Sequence, residues 1–215
     1  MKTPDNFFLI LLLGSGLCWI VTYILIIKRG FQDKTYGMPM VAICANISWE
    51  FIFSFIYPHN GLQNVIDIIW FILDIVIMLQ YLSYGGKEFK KYIPVKFFYP
   101  SFFITLGVSF LTIMAITLEF NDFEGKYAAF LQNLMMYGLF IALLIKRGNL
   151  NGQSIYIAVF KMVGSLLAAI AFIVYFRSYL ITIISVAMLI YDWIYIFLVC
   201  KSYSKRTRNQ INYST

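Results

Sequence analysis

Four ionisable side chains stand inside apolar stretches of this sequence: Glu50, Asp74, Lys161 and Asp192. A charge at the centre of a bilayer costs about 2.5–3.5 kcal/mol even on the milder insertion scale. A single buried carboxyl is accounted for by a hydrogen bond to a neighbouring helix or by pairing with Lys161. Three of them in so short a chain need a chemical reason, because leucine would pack as well at no such cost. Lys161 lies about 10 Å from the inner end of its stretch at helical rise. It is expected to snorkel to the interface and to carry no chemistry.

Helical spacing surrounds each carboxyl with polar and aromatic groups. Asn46 precedes Glu50 by one turn, Trp49 adjoins it, and Tyr57 lies two turns further on. Asp74 shares a face with Asp67, Trp70 and Met78, and a third stripe reads Ser185, Met188, Asp192, Tyr195. Burial disfavours the carboxylate anion, and a neighbouring carboxyl disfavours it further. A protonated acid in an aromatic pocket is suited to a greasy substrate that reacts through cations, because ring faces stabilise cations and a dry pocket does not quench them. Asn46, Trp49, Tyr57, Trp70, Asp74, Met188 and Tyr195 are the expected lining of such a cavity around Glu50 and Asp192.

The elements that carry these residues follow from composition. Of 215 residues, 61% are hydrophobic and 13% charged, with a mean hydropathy of +0.78. A soluble domain is nearer a quarter charged. A span of the hydrocarbon takes about 20 apolar residues in a helix. Seven runs qualify, at 7–27, 39–57, 65–82, 101–118, 127–145, 154–176 and 179–200. The expectation is an all-α membrane protein of seven transmembrane helices, with one membrane domain over 1–200 and a basic cytoplasmic tail over 201–215. The first run is too long for a signal peptide, has no Ala-x-Ala cleavage site and is followed by Lys28-Arg29, so it is expected to be retained. Neither end carries a lipidation motif.

Basic residues divide unevenly between the two sides. Lys2, Lys126 and Arg177 fall on one side, and thirteen others, among them Lys28, Arg29, Lys146, Arg147 and Lys201, on the other. The positive-inside rule then predicts an N-terminus outside and a C-terminus inside. The net charge of +7 is explained by topology and by attraction to anionic lipid, so no nucleic-acid partner is expected. An internal repeat is also legible. Ile27-Lys28-Arg29-Gly30 and Ile145-Lys146-Arg147-Gly148 stand 118 residues apart, and the same offset relates Asp74 to Asp192. Two parallel helix triplets with a linking fourth helix, a 3+1+3 plan, would bring Asp74 and Asp192 to equal depth at one cavity.

Asn46-Ile47-Ser48-Trp49-Glu50 and Asp192-Trp193-Ile194-Tyr195 resemble the membrane-integrated terpene cyclases of fungal meroterpenoid pathways and their bacterial relatives. The helix count and the two motifs together cover essentially the whole chain. The resemblance implies that Glu50 and Asp192 are the functional carboxyls. It also implies that a proton delivered to an alkene or epoxide of a prenyl chain starts a carbocation cascade ending in a polycycle. The partners would be a hydrophobic prenylated small molecule and the lipid bilayer, and the location the inner membrane of a bacterium or the endoplasmic reticulum of a eukaryote. No cofactor or metal is called for. A diphosphate-ionising cyclase needs Mg²⁺ held by several carboxylates, no DDxxD run is present, and Glu119, Asp122 and Glu124 read as a solvated outer loop.

Other chemistry finds less support. Cys18, Cys44 and Cys200 form no CxxC, so neither a disulfide framework nor a zinc site is indicated. His59, in a Pro-His-Asn-Gly turn, reads as a solvated turn residue. The alternative function is a small-solute transporter of the 3+1+3 type. Against it, Pro4, Pro39, Pro58, Pro94 and Pro100 all stand at helix ends or in loops, which leaves no mid-helix hinge. A retinal protein would need a lysine deep in the seventh helix, which has none before Lys201. A purely structural membrane subunit leaves the carboxyls unexplained.

Overall fold

A computed structural model describes residues 6–212, with side chains as far as Ser204. Lys2 and Pro4, and the side chains of Lys205, Arg206 and Arg208, lie outside the described residues. In order of chain, the elements are α1 (Asn6–Asp33), α2 (Met40–Phe51), a π-helical turn (Ile52–Ile56) and α3 (Leu62–Phe89). After a 3₁₀ turn (Val95–Phe97) come α4 (Phe98–Glu119), α5 (Lys126–Arg147), α6 (Ile155–Tyr175) and α7 (Tyr179–Asn212). The described residues contain no strand. In hydrocarbon each backbone N–H and C=O must be satisfied within the chain, and a helix does this inside one segment.

Six of these helices are long and apolar enough to cross a membrane, and the chain is an integral multi-pass membrane protein. The seventh apolar segment, Met40–Ile56, is shorter. At helical rise its 17 residues reach about 25 Å, against about 30 Å of hydrocarbon. Ala42 to Glu50 are all buried, and α2 packs among α3, α4 and α5. The last helix runs on past residue 200 to Asn212, where the sequence suggested a separate tail.

Several helix ends carry identifiable signals. Proline stands at 39, 58 and 94, between elements. Gly148 closes α5 in the left-handed conformation, and Ser154 caps α6 by accepting the Ile157 N–H at 3.2 Å. Gly125, at φ +62°, is the tightest requirement. A Cβ there would lie 2.4 Å from the Phe53 ring and 2.7 Å from the Trp49 indole nitrogen.

The packing order has a regularity. Helix α1 packs on α3 and α6, α2 on α3, α4 and α5, and α7 on α5 and α6. Small residues let α1 and α6 approach closely, with Ser15 Oγ donating to the Gly164 carbonyl at 2.8 Å. At the end richest in Lys and Arg, Glu88 takes Arg147 at 2.9 Å and Lys146 at 3.5 Å. Arg147 also donates to the Tyr36 carbonyl at 2.9 Å, which ties the 34–39 and 148–154 connections together.

Candidate active site

Glu50 points from α2 into the contact with α1 and α3. Tyr23 of α1 donates its hydroxyl to Glu50 Oε1 at 3.0 Å, and Asn46, one turn before Glu50, donates to the Tyr23 oxygen. Gln132 of α5 reaches Asn46 Oδ1 at 3.5 Å. Asp74 of α3 lies close enough to interact with both Glu50 and Asn46. It is fully buried, and neither of its oxygens meets an N–H or O–H donor, nor does Glu50 Oε2. Two carboxyls in one buried space cannot both be anions without severe repulsion. Glu50 and Asp74 are thus two acids in one buried space, with three oxygens that accept no N–H or O–H.

Asp192 sits in a different environment. Lys161 of α6 donates to Asp192 Oδ1 at 2.7 Å, with both side chains fully buried. The expectation that Lys161 snorkels is therefore corrected: the ammonium turns inward because an anion lies nearer than the interface does. The Lys161 nitrogen lies 3.0 Å from the centre of the Tyr137 ring and 5.6 Å from that of Tyr195. The Tyr137 hydroxyl donates to Ser165 Oγ and also lies beside the Asp192 carboxyl. Asp192 Oδ2 and the Tyr195 hydroxyl are buried without a partner.

The other predicted lining residues divide between these clusters and the 120–125 connection. Met188 is buried against Tyr137, Phe130 and Ile184 in the Asp192 half. Trp70 lies one turn before Asp74, its indole N–H buried and unpartnered. Trp49 turns to the 120–125 connection, where its indole N–H donates to the Gly125 carbonyl at 2.9 Å. Tyr57 packs edge-on against Phe123 at 5.2 Å. The π turn adds a residue per turn after Phe51 and so moves Tyr57 off the face of Glu50.

Glu50 and Asp74 thus meet, while the polar contacts of Asp192 are with Lys161, Tyr137 and their neighbours on α5 and α6. The cavity of about 260 Å³ lined by Tyr36, Tyr81, Phe89, Tyr92 and Lys146 lies at the basic end of the bundle, away from both clusters. Sequence reasoning missed Tyr23, Gln132 and Tyr137. Each lies on a helix other than the carboxyl it serves, and an isolated tyrosine in an apolar run carries no signal of its own.

Two expectations for the connections at 57–61 and 120–125 are corrected. His59 is half-buried, with Nδ1 2.6 Å from Asp67 Oδ2 and Nε2 3.1 Å from the Glu124 carbonyl. The π turn swings the chain back so that the imidazole lies against Trp49 and Phe53. Asp122 is buried where a solvated loop was expected, because its carboxylate accepts the Tyr127 N–H at 2.6 Å and starts α5. Desolvation raises Asp122 above the usual carboxylate range, against the pull of that hydrogen bond.

The family model of the Pyr4-like transmembrane terpene cyclases matches residues 5–205. The Pyr4-family terpene cyclase mfmH of Annulohypoxylon moriforme is 33% identical over 148 residues, 67% of this chain and 61% of that protein. Terpene cyclase macJ of Penicillium terrestre is 31% identical over 159 residues, 71% of this chain and 60% of that protein. Terpene cyclase pyr4 of Aspergillus fumigatus is 29% identical over 147 residues, 66% of this chain and 61% of that protein. The match thus spans about three fifths of the length of these curated relatives. No solved structure matches the chain.

Proposed function

The chain belongs to the Pyr4-like transmembrane terpene cyclases, and from that membership we propose that it cyclises a prenyl or epoxy-prenyl chain by proton-initiated, metal-independent chemistry. The observation that carries this reading is the buried Glu50–Asp74 pair with Tyr23 donating to it. Glu50 gives its proton to the epoxide oxygen or to a terminal alkene carbon. In the first case the C–O bond breaks toward oxygen. In both a carbocation forms, and successive alkene π bonds close rings onto it. Loss of a proton from carbon, or addition of water followed by loss of a proton, ends the cascade with an uncharged product.

Asp192 is assigned the opposite task. With Lys161 beside it, Asp192 is held as a carboxylate, and its free Oδ2 is placed to face a cation or to take the terminal proton. The Tyr137 and Tyr195 rings nearby add quadrupole stabilisation.

The charge asymmetry supports an N-terminus outside and a C-terminus inside. The packing pairs support the 3+1+3 plan. Exchanging α1, α2, α3 with α5, α6, α7 turns α1 on α3 into α5 on α7, α2 on α3 into α6 on α7, and α1 on α6 into α5 on α2. Carriers share that plan, so the transporter reading is kept as the second one.

One experiment separates them. Membranes containing the chain are fed prenylated phenols, quinones or indoles, with and without a terminal epoxide, and extracts are analysed by mass spectrometry and chromatography. A product of unchanged mass and altered retention, or one heavier by a water, formed in the presence of EDTA, is the expected result. Uptake into vesicles with no conversion would favour the carrier, and strict Mg²⁺ dependence would return the reading to diphosphate chemistry.

A further inference from the structure

A buried acid that gives up a proton must be reloaded, and the route is not supplied by the carboxyl pair itself. Glu50 is only 2% exposed, in a bundle whose outer faces meet lipid. The contact between α2 and α3 is unusual for such a bundle. Asn46, Glu50 and Ser54 recur at one-turn spacing on α2, the last of them in the π turn, and Asp67, Trp70 and Asp74 recur on one face of α3. Ser54 Oγ and the Trp70 indole N–H join Glu50 Oε2 and both Asp74 oxygens as buried polar atoms with no protein partner. Unpaired buried polar groups are rare, and a run of them between two acids calls for a reason. A bridging water requires two to four polar partners, and these five atoms are enough to hold one.

The outer end of this seam is closed by His59 and Asp67. Asp67 is fully buried. Besides the imidazole at 2.6 Å it accepts the Gln63 amide at 2.8 Å. His59 keeps 16% of its side chain exposed, so the pair joins the aqueous face to a buried carboxyl. The Asp67 charge also acts on Glu50. Asp67 and Asp74 are two helical turns apart, about 10 Å, and Ser54 and Trp70 supply the polar groups of the seam between α2 and α3.

We propose that the His59–Asp67 pair is a proton port, and that the polar seam between α2 and α3 conducts its protons to the Glu50–Asp74 pair. The proposal rests on reading Glu50 as the acid. The imidazolium, with Nε2–H on the Glu124 carbonyl and Nδ1–H on Asp67, passes its Nδ1 proton to Asp67 Oδ2, and the neutral ring turns outward to take a new proton from water at Nδ1. Asp67 releases the proton into the seam, and the Glu50 carboxylate left by turnover takes it up. One proton enters for each one delivered to substrate.

The groups facing His59 keep the imidazolium accessible. They are Asp67 from α3, Asp122 and Glu124 from the 120–125 connection, and Lys126 from α5, itself paired with Glu124 at 2.5 Å. Burial alone would lower His59. The hydrogen bond and charge of Asp67, then the Glu124 carbonyl and charge, outweigh it and raise the imidazole above its ordinary range.

The test needs no substrate. The full chain in lipid vesicles is switched into D₂O, and the shift of the protonated carboxyl C=O stretch is followed by infrared spectroscopy, with Glu50→Gln and Asp74→Asn assigning the band. His59→Gln and Asp67→Asn are each expected to slow exchange of that band by about ten-fold or more without changing its amplitude. His59→Gln should also flatten the pH dependence of the exchange rate. Exchange at the wild-type rate in both variants, an unaltered pH dependence in His59→Gln, or a band that neither Glu50→Gln nor Asp74→Asn removes would overturn the port. Should Asp67→Asn fail to fold, His59→Gln decides alone, since it alters only a partly exposed connection. If exchange is gated but Glu50→Gln still cyclises an epoxyfarnesylated phenol, the port stands and the assignment of Glu50 as acid falls.

Discussion

The two buried carboxyl clusters differ in how they reach neutrality. In the α1–α3 half, two acids face each other, and the donor offered to Glu50 is the neutral Tyr23 hydroxyl, which in turn accepts from the Asn46 amide. Only a proton can balance that cluster. In the α5–α7 half, one acid faces one ammonium under an aromatic ring, and the pair is neutral as two fixed ions. Like groups repel in the first cluster and opposite groups attract in the second. Under the proposed function the first would give the proton and the second would meet the positive charge.

The largest effects should separate the halves by what else is lost with activity. Glu50→Gln removes the transferable proton but leaves an uncharged, hydrogen-bonding side chain. Turnover is expected to fall by about 10²–10⁴-fold, with normal yield and an unchanged melting curve in detergent. Asp192→Asn should abolish turnover too, and in addition leave the Lys161 ammonium buried without its anion, at a cost of about 3–5 kcal/mol. Its melting temperature should drop measurably, and Lys161→Met combined with Asp192→Leu should restore the fold without restoring turnover. If Asp192→Asn melts like the wild type, the ion pair contributes little and the contrast between the clusters is lost. If both Glu50→Gln and Asp192→Asn turn over substrate near wild-type rates, both carboxyls are structural.

Much of the fold was legible because the bilayer imposes one strong rule, a run of apolar residues per crossing. All seven runs correspond to helices, and the breaks at Pro58-Gly61 and at Gly148 fall at turn-forming residues, whereas α1 runs on past Lys28-Arg29-Gly30 to Asp33. The carboxyls were legible for the same reason, since each departs from its apolar surroundings. What the sequence could not carry was pairing between helices. Whether Lys161 turns outward to the interface or inward to Asp192 depends on the rotation of α6 against α7, which no periodicity within either helix encodes. The π turn after Phe51 was equally hidden. It displaces Tyr57 from the face of Glu50 and brings His59 over Trp49, and so converts a residue read as a solvated turn into a buried contact.

Smaller substitutions test the α1–α3 half from within. Asp74→Asn places an amide beside Glu50 that can donate to it in any state, so Glu50 no longer needs a proton to satisfy that contact. A drop in kcat of about ten-fold with KM unchanged is expected in the same feeding assay, and an unchanged kcat would reduce Asp74 to a packing residue.

Tyr23→Phe should have the smallest effect and is the most specific. The Tyr23 hydroxyl donates to Glu50 Oε1 at 3.0 Å, and negative charge grows on that carboxyl as its proton leaves. The hydrogen bond is therefore stronger in the transition state than in the ground state. A neutral hydrogen bond is worth about 0.5–1.5 kcal/mol net, so kcat should fall by roughly two- to ten-fold while KM stays the same. Tyr137→Phe in the other half is the matched control. It removes a hydroxyl bonded to Ser165 but keeps the ring face over Lys161, so the fixed charges stay where they are and turnover should change less than in Tyr23→Phe. The reverse order, with Tyr137→Phe the more damaging in kcat at equal stability, would assign the moving proton to the Asp192 cluster and exchange the roles of the two halves.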